Sequence, residues 1–444
     1  MSNKLQPVRG THDILPDEFE KFNAVTSMAR CLATLYGFRE MATPIFEATE
    51  VFSRSMGETS DVVSKEMFTF ETRGGESVTL RPEFTAGMAR AFISNGMQQN
   101  LPLKLFSNGP LFRYERPQKG RQRQFHQVNY EWLGDDSWMA DAEIIILAGH
   151  LLYNLSGGKG CTLHINTLGD KESREKYRTA LVTYLAPFAD KLSEDSKRRL
   201  NENPLRILDS KDKGDREILL NAPVMTDYLS AQAKERFEKI CNVLQANKTS
   251  FFLEIKIDPA LVRGLDYYTD TVFEFVANTG ELGAQNTVLA GGRYDGLIEQ
   301  MGGKTTPAVG FAAGVERLLL LMNDSCNVTK DLKIGIFPLF ENDVKLAATN
   351  FVADMATLLR IRLSSIKDEL KTKREFSAEV IWQGKLSKRL ERAAKSGFTH
   401  ALIIGEDEVN KEQFLLKDMA SGTQSPINND ELLQNENVKR IFGI

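Results

Sequence analysis

The sequence has few cysteines and histidines, and these are widely scattered. Its four cysteines contain no CxxC pair and its five histidines no HExxH motif, so neither a disulfide framework nor a zinc site of common spacing is expected. Such cysteine usage is typical of reduced, structural thiols in a cytosol. We therefore predict no metal site and a structural role for each histidine. The residues concerned are Cys31, Cys161, Cys241, Cys326, His12, His126, His150, His164 and His400.

Long hydrophobic runs are also missing. The longest apolar runs, such as residues 144–149 and 318–322, are far shorter than the ~20 residues that a membrane-spanning helix needs. The first ten residues contain no apolar stretch of the kind that secretory signals carry. We therefore expect a cytoplasmic protein without membrane association.

Charge of one sign is not in large excess. Lysine and arginine number 56 against 60 aspartates and glutamates, for a net charge of −4. This balance excludes a non-specific nucleic-acid-binding surface, so any contact with nucleic acid must come from local basic patches. With 444 residues, 42% apolar and 26% charged, the chain reads as a globular protein of about two to four domains.

The pattern of predicted elements changes along the chain. A helix is predicted over residues 16–37, and an apolar helix over 311–322. Residues from about 170 to 250 are helix-rich and charged, which indicates an insertion. After a polar stretch near 324–330, strands alternate with helices, which predicts a small and largely parallel sheet. The tail from 421 to 437 is rich in Asn and Gln and is expected to be loose.

Two predicted strands, residues 111–116 and 125–133, carry polar side chains on one face. The two-residue period places Arg113 and Glu115 together on the first strand. A solvated outer face is the ordinary explanation of such alternation. The connecting loop RPQKGRQRQ is strongly cationic, however, and favours an anionic ligand. The corresponding face of the second strand carries Phe125, Gln127, Asn129 and Glu131.

Six segments resemble the motifs of class II aminoacyl-tRNA synthetases, and RGLDYY resembles the histidyl-tRNA synthetases in particular. The resemblance runs from about residue 6 to residue 419. It implies an α+β catalytic domain over 1–325 with an antiparallel sheet and the helical insertion, and an α/β anticodon-binding domain over 331–444. The segments are RGTHD at 9–13, TLRPEFT at 79–85, LFRYERPQKGRQRQFHQ at 111–127, RGLDYYT at 263–269, AGGRYDGL at 290–297 and GFAAGVERL at 310–318.

The resemblance implies a reaction and its partners. L-histidine would be activated by ATP to histidyl-adenylate and transferred to tRNA(His), with release of pyrophosphate and AMP. Mg²⁺ would accompany ATP, and the protein would be a cytoplasmic homodimer. One alternative is a non-catalytic paralogue, the regulatory subunit of ATP phosphoribosyltransferase, which lacks the C-terminal domain and typically loses RGLDYY. A second is a class II synthetase for glycine, proline or threonine, which would not need residues that hold an imidazole.

The resemblance also implies roles for residues around ATP. Arg113 and Arg263 would be the catalytic cations on either side of the α-phosphate, where they would stabilise the charge of the transition state. Glu115 would bind the adenine amino group, and Phe125 would stack on adenine. Arg317 would bind the γ-phosphate.

A histidine pocket is implied beside the phosphates. Glu83, Thr85 and Gln127 would bind the α-amino group, while Glu131 and Tyr268 would hold the two imidazole nitrogens. Tyr294 would line the wall. The implied histidine-binding set is Glu83, Thr85, Gln127, Glu131, Tyr267, Tyr268 and Tyr294.

The cationic loop would meet the acceptor end of the tRNA, and basic residues of a helix at 385–395 would meet the anticodon region. The chain departs from the family at Asp270, where members usually carry Gly, and at Lys119 and Gln122, which replace the more usual Ala and aromatic residues. The implied acceptor-binding residues are Arg116, Gln118, Arg121 and Arg123.

Overall fold

The structure is a computed structural model that describes most of the chain in two compact units, Met1–Cys326 and Asn327–Ile444. The residues outside the description are 1–4, 58–59, 61, 119, 158–159, 247–253, 263–264, 266, 279–285, 323–330, 341–345, 371–373 and 383, together with the side chains of 346–350.

The first unit alternates helices and strands. Its strands are β1 Arg39–Glu40, β2 Phe46–Ala48, β3 Phe68–Glu71, β4 Ser77–Leu80, β5 Leu103–Phe112, β6 Gln124–Leu133, β7 Cys161–Thr167, β8 Glu254–Ile257, β9 Thr269–Ala277, β10 Thr287–Arg293 and β11 Ala308–Gly314. Its α-helices are α1 Pro16–Leu35, α2 Thr49–Met56, α3 Thr85–Ser94, α4 Trp138–Ser156, α5 Lys171–Leu185, α6 Glu194–Glu202, α7 Lys213–Leu219, α8 Ala231–Ala246, α9 Leu297–Gln300 and α10 Val315–Leu321. A π-helical turn covers Val62–Glu66, and 3₁₀ turns cover Met97–Asn100, Ala186–Lys191, Pro204–Asp209 and Met225–Tyr228.

One eight-stranded sheet organises this unit, in the order β1-β5-β6-β11-β10-β9-β7-β8. The neighbours from β5 to β7 all pair antiparallel, whereas β1 and β8 join the two edges in parallel. The sheet is therefore mixed, with the predicted antiparallel arrangement at its centre. A small antiparallel sheet, β2-β4-β3, lies beside it in the same unit.

Helices cover one face of the large sheet, called the back face below. α1, α4, α8 and α10 pack there on apolar side chains of the central strands, such as Val128 and Tyr130 of β6. α1 begins with Pro16, as predicted, since the proline ring suits the first helical position, and it ends at Leu35, two residues before the predicted end. On the other face, α2, α3 and α9 form a second core that includes Tyr267 and Tyr294.

Two predicted elements were wrong at their ends. The strand predicted at 111–116 is instead the last part of β5, which ends at Phe112, because the amide of Tyr114 donates to the carbonyl of Glu66. The helix predicted at 311–322 begins only at Val315, since residues 308–314 form β11 at the centre of the sheet. β11 consists of small residues around Phe311, and it is buried rather than alternating, so the strand period is absent from its sequence.

The elements from Lys171 to Ala246 are all helices. Most of them enclose a small apolar core of their own, which includes Tyr177, Leu181 and Ile207. α8 differs, because Phe237, Ile240 and Leu244 belong to the core behind the large sheet. The helical segment is thus anchored to the large sheet by its last helix.

The second unit contains a five-stranded sheet in the order β13-β12-β14-β15-β16. The first three strands pair in parallel and the last two add antiparallel. Its strands are β12 Leu332–Leu339, β13 Phe376–Val380, β14 His400–Gly405, β15 Gln413–Asp418 and β16 Gln424–Asn428. Its helices are α11 Leu346–Leu370, α12 Leu386–Lys395, α13 Glu406–Asn410 and α14 Asn435–Phe442, with a 3₁₀ turn at Asn429–Leu433.

Two expectations about this unit were wrong. The tail from 421 to 437 is ordered, because it contains β16 and the start of α14, whose Val438 and Phe442 are buried in the core. In α12, Arg389 belongs to the basic residues predicted to meet the anticodon region, but it is buried, and its Nη1 donates to the carbonyl of Ile381 at 2.6 Å. Neither the order of the tail nor the burial of Arg389 could be recognised from the polar composition of these segments.

None of the helices in the described part of the chain combines the length and apolar character that crossing a membrane requires.

Candidate active site

A cavity of about 950 Å³ lies over the central strands of the large sheet. All of the predicted ATP- and histidine-binding residues that the structure describes line it, together with Arg121. Arg263 lies outside the described residues, so its position stays a prediction. The cavity residues from the prediction are Glu83, Thr85, Arg113, Glu115, Phe125, Gln127, Glu131, Tyr267, Tyr268, Tyr294 and Arg317.

The corner before α3 holds Glu83 in place. The Arg81 side chain is buried there and donates to the carbonyls of Thr43 (2.7 Å) and Pro110 (3.0 Å). The Glu83 carboxylate accepts from the backbone amides of Thr85 (2.8 Å) and Ala86 (2.6 Å), which are unpaired donors of the first helical turn. Burial nevertheless raises the pKa of Glu83, and these hydrogen bonds offset part of that rise.

Glu131 is the centre of a buried polar cluster. Its carboxylate accepts hydrogen bonds from the Thr85 hydroxyl, the side-chain amide of Asn129 (2.7 Å) and the Tyr294 hydroxyl. Burial raises the pKa of Glu131 to about 7, and the nearby Glu83 carboxylate adds to the rise. The cluster is therefore preorganised, and it can exchange a proton near neutral pH.

Three tyrosines surround this cluster. The ring centroids of Tyr267 and Tyr268 lie 4.8 Å apart, and those of Tyr267 and Tyr294 lie 5.6 Å apart. Burial holds the pKa of Tyr267 and of Tyr294 well above the ordinary tyrosine value, so both keep their protons. The resemblance implied that Tyr268 acts beside Glu131, whereas in the structure the hydroxyl group that donates to Glu131 belongs to Tyr294.

The glycine at position 310 makes room for the Glu131 carboxylate. A Cβ on Gly310 of β11 would stand 1.8 Å from Glu131 Oε2 and 2.4 Å from the carbonyl oxygen of Tyr130. Such a contact is impossible, so the position requires glycine. The small residues of β11 thus form the floor of the pocket.

Arginines gather at the other end of the cavity. Arg113 is held by a hydrogen bond from Nε to the carbonyl of Pro82 (2.9 Å), and its guanidinium lies 5.4 Å from the centroid of the Phe125 ring. Glu115 pairs with Arg121 at 2.6 Å and lies 3.9 Å from Arg113. A fixed cation beside an aromatic face suits a nucleotide, whose phosphates and base need both.

Arg317 lies on the first turn of α10, where the chain leaves β11. It donates to the carbonyls of Gly120 (3.3 Å) and Thr287. Burial lowers the pKa of Arg317, and the nearby Arg121 lowers it further. Two cations close enough to repel form a site for an anion, which would relieve the repulsion.

The chain matches the family described as Histidyl-tRNA synthetase over residues 10–318, which is more than half of its length. The chain belongs to the histidyl-tRNA synthetase family. Residues 352–435 match a second family, described as Anticodon binding domain, so the five-stranded unit is a domain of the anticodon-binding type. The chain is therefore an aminoacyl-tRNA synthetase, with the class II catalytic fold expected from its motifs.

Full-length relatives share this family. A "Histidine--tRNA ligase" of Rhodospirillum rubrum is 48% identical over 423 residues, which cover 95% of this chain and 96% of the relative. Another, of Gluconobacter oxydans, is 47% identical with the same coverages. A solved structure of apo S. aureus histidyl-tRNA synthetase is 31% identical, with a TM-score of 0.76 and coverage of 97% of this chain and 99% of that one. These matches support a histidyl-tRNA synthetase over the regulatory-subunit alternative.

The cationic loop divides into two parts. Arg121 lines the cavity, while Arg116 and Gln118 are exposed outside it. Arg123 turns the other way, with its guanidinium 3.8 Å from the centroid of the Tyr114 ring. The four residues predicted to bind tRNA therefore differ in their exposure and in what they contact, and their role stays a prediction.

Sequence reasoning missed residues that hold the site from behind. His126 Nδ1 and Glu316 Oε1 are hydrogen-bonded at 2.9 Å, and Glu316 directly precedes Arg317. Arg293 and Asp141 are both fully buried and paired at 3.0 Å. Arg293 lies in the segment AGGRYDGL, in which the resemblance implied a role for Tyr294 and none for the arginine. The signal was a charged residue within an apolar strand, which needs a partner when buried.

The backbone at Asp270 has a conformation that suits the glycine implied by the resemblance at this position. Its φ angle is +39°, in the left-handed region that side chains other than Gly, Asn and Asp rarely adopt. Burial also raises the pKa of its carboxyl group. The substitution is therefore tolerated by the fold, at a cost in backbone strain.

The donor set of the cavity fits a magnesium ion that enters with a nucleotide. Hard cations take carboxylate and phosphate oxygens, and Glu115 and Glu274 line the cavity near the arginines. In the part of the chain that the structure describes, no three His, Cys, Asp or Glu side chains group as ligands of a metal ion. Most of the ligands would therefore have to come from the nucleotide and water.

Proposed function

We propose that this chain activates L-histidine with ATP and transfers it to tRNA(His). The histidine carboxylate attacks the α-phosphorus of ATP, the bond to the bridging oxygen breaks, and pyrophosphate leaves. The tRNA terminal hydroxyl then attacks the histidyl carbonyl of the adenylate, and AMP leaves. The substrate supplies the nucleophile in the first step and the tRNA in the second, so no nucleophilic side chain of the protein is needed.

One observation carries the proposal, namely that a buried carboxylate–hydroxyl cluster and a group of arginines share one cavity. The cluster around Glu131 suits an imidazole and an ammonium, while Arg113, Arg121 and Arg317 suit a polyphosphate. Substrates that fill both ends of the cavity must present a cationic or hydrogen-bonding group to the Glu131 cluster and an anionic group to the arginines. Histidine next to the ATP phosphates meets that description.

At the histidine end, the carboxylates supply recognition. Glu131 would exchange one of its internal hydrogen bonds for an imidazole N–H, while Glu83, Thr85 and Gln127 would bind the ammonium group. A site that hydrogen-bonds both ring nitrogens rejects substrates that lack them, since its buried polar groups would be left unpaired. The tyrosines Tyr267, Tyr268 and Tyr294 would form the walls.

At the phosphate end, Arg113 would stabilise the α-phosphate in the transition state, with Arg263 as the opposite cation on the basis of the RGLDYY motif. Arg317 would bind the γ-phosphate, and Phe125 would stack on adenine. Glu115, which pairs with Arg121 in the free protein, would turn to the adenine amino group. Mg²⁺, held by Glu274 and the phosphates, would neutralise charge on the leaving pyrophosphate when bound.

The tRNA contacts are proposed for two places. Arg116, Gln118, Arg121 and Arg123 would meet the acceptor end, and exposed basic residues of α12, such as Lys388 and Lys395, would meet the anticodon region. Phosphate contacts position an RNA, whereas unstacked bases supply its identity. The two units would thus act as the catalytic domain, 1–325, and the anticodon-binding domain, 331–444.

We further propose a cytoplasmic homodimer. Phe19, Leu35, Ile45 and Phe46 are large apolar side chains that stay exposed in α1 and around β2. Exposed apolar side chains at the first helix and the strand that follows it suit a subunit interface. Sedimentation of the full chain at micromolar concentration should give about 100 kDa, twice the chain mass of 49.9 kDa. A particle of one chain mass would contradict the dimer.

The decisive experiment is pyrophosphate–ATP exchange with purified full-length protein. Exchange should depend on L-histidine and should not occur with glycine, proline or threonine. Charging of tRNA(His) should follow with the same protein. Exchange driven by another amino acid, or none with histidine, would overturn the proposal.

A further inference from the structure

The strand that carries Tyr294 into the cavity also carries a buried arginine on its opposite side. Arg293 ends β10 directly before Tyr294, and its side chain is 0% exposed. Successive side chains of an extended segment point to opposite sides. Tyr294 accordingly meets Glu131 in the cavity, while Arg293 meets α4 on the back face.

Every N–H group of the Arg293 guanidinium has an acceptor. Nε donates to both oxygens of Asp141 at 3.0 and 3.1 Å. Nη2 donates to Asp141 Oδ2 (3.0 Å) and to the carbonyl of Ser137 (3.2 Å). Nη1 donates to Asp295 Oδ1 and to the carbonyl of Asp135, both at 3.0 Å. A lysine cannot reproduce this planar fork, because its three donors diverge from a single nitrogen.

These contacts fasten both strands next to the histidine pocket. Asp295 Oδ1 also accepts from the amide of Ala308 at 3.0 Å, and the amide of Tyr294 donates to the carbonyl of Ala308 at 2.8 Å. Ala308 begins β11, which carries Gly310 under the Glu131 carboxylate. Tyr294 and the floor beneath Glu131 are thus fixed by the same set of hydrogen bonds.

We propose that Arg293 is a positioning residue for the substrate histidine. By anchoring the end of β10 to α4, it holds the Tyr294 hydroxyl on Glu131 and thereby sets the affinity for the imidazole. The inference rests on the proposed function for the identity of the substrate. A buried ion pair often adds little net stability, so its value here lies in the geometry that it enforces.

A double-mutant cycle tests the inference. Arg293→Lys should raise the KM for histidine in pyrophosphate exchange about tenfold and leave the KM for ATP within about twofold, since only one end of the cavity loses its geometry. In a Tyr294→Phe background the same change should add less than about twofold, because its route of action is already cut. Arg236→Lys is the matched control: Arg236 contacts the same Asp141 from α8 without reaching β10. Equal rises in both KM values, or effects that multiply in the double variant, would overturn the inference.

A milder variant decides the question if Arg293→Lys does not fold. Asp295→Ala removes one acceptor of Arg293 from a partly exposed side chain, and it should raise the KM for histidine about threefold with the KM for ATP unchanged. An unchanged KM for histidine would contradict the inference.

A readout without substrate separates this inference from the proposed function. In protein labelled with ¹³C on its tyrosine rings, the signal of Tyr294 is identified by its loss in Tyr294→Phe. That signal should move in Asp295→Ala and stay in place in Arg236→Lys. A signal that does not move in Asp295→Ala would overturn the positioning role. A wild-type protein without histidine-dependent exchange would overturn the proposed function instead.

Discussion

At the histidine end of the cavity the ionisable groups are buried and hydrogen-bonded to one another, whereas at the phosphate end they are partly exposed and partly repel. Glu131 has three donors inside the protein, and burial raises its pKa to about 7. Arg317 instead has its pKa lowered by burial and by Arg121. The first end is thus built before the substrate arrives, and the second is completed by the charge of its ligand.

This difference explains how one cavity can both select and react. Selection requires groups whose positions do not change, because the penalty for a wrong substrate is an unpaired buried group. Catalysis requires stabilisation that grows as charge develops on phosphorus, which unneutralised cations provide. Each end can therefore be disturbed separately.

The largest expected effect is at the phosphate end. Arg113→Ala should lower histidine-dependent pyrophosphate exchange by about 10²- to 10³-fold, because an oriented cation is lost from the transition state. Arg54→Ala is the matched control, since Arg54 is an exposed arginine of α2 paired with Glu50 and should leave the rate within about twofold. A loss below tenfold for Arg113→Ala would remove Arg113 from the catalytic role.

A pH-dependent stability should mark the histidine end. Because the folded-state pKa of Glu131 is about 7, the folded protein keeps a proton that the unfolded chain loses near pH 4.5. The free energy of unfolding should therefore fall as pH rises from about 4.5 to about 7, by on the order of 3 kcal/mol from this group.

Glu131→Gln should remove that component. Thermal midpoints of the wild type and the variant between pH 5 and pH 8 measure it, and the advantage of the variant should grow with pH. Parallel curves for the two proteins would mean that Glu131 does not titrate in this range.

The same substitution should separate the two ends kinetically. Glu131→Gln should raise the KM for histidine about tenfold, the cost of one hydrogen bond to a charged group, with the KM for ATP unchanged. Glu115→Gln is the reciprocal variant and should raise the KM for ATP alone. If either variant raised both KM values equally, the two ends would not be independent.

The comparison also marks what the sequence could predict. The shared face of Gln127, Asn129 and Glu131 was predicted because polar and apolar residues alternate along the sequence of β6. The second part of β11, from Phe311 to Gly314, was predicted as helix because its small, buried residues carry no such period. Residue types and local spacing were therefore enough to identify the residues of β6 that line the cavity. They were not enough to identify β11, which forms the floor of the cavity.

Long-range partners were beyond the sequence pattern. Arg293 and Asp141 are 152 positions apart, and only the sheet order brings the end of β10 against α4. The sequence pattern also gave no physical basis for choosing between Tyr268 and Tyr294 as the partner of Glu131, since both are tyrosines in motifs that contain glycine. Which side chains become partners depends on which strands are neighbours in the sheet. The spacing of residues along one strand carries no information about that.

The smallest predicted effect concerns Asp270, at the start of the strand behind the histidine end. Asp270→Gly should stabilise the protein by about 1 kcal/mol at pH 7, because glycine adopts a φ of +39° without strain and the buried carboxyl group is removed. Part of the gain should disappear at acid pH, where the raised pKa leaves this carboxyl group protonated and uncharged in the folded protein.

Glu412→Gly is the control for the backbone alone, since Glu412 has a φ of +51° in the second unit and is exposed. Its effect on the thermal midpoint measures the gain from the backbone without removal of a buried carboxyl group. A pH-independent gain in Asp270→Gly would assign the whole effect to the backbone, and a lower midpoint at every pH would show that the Asp270 side chain stabilises the strand.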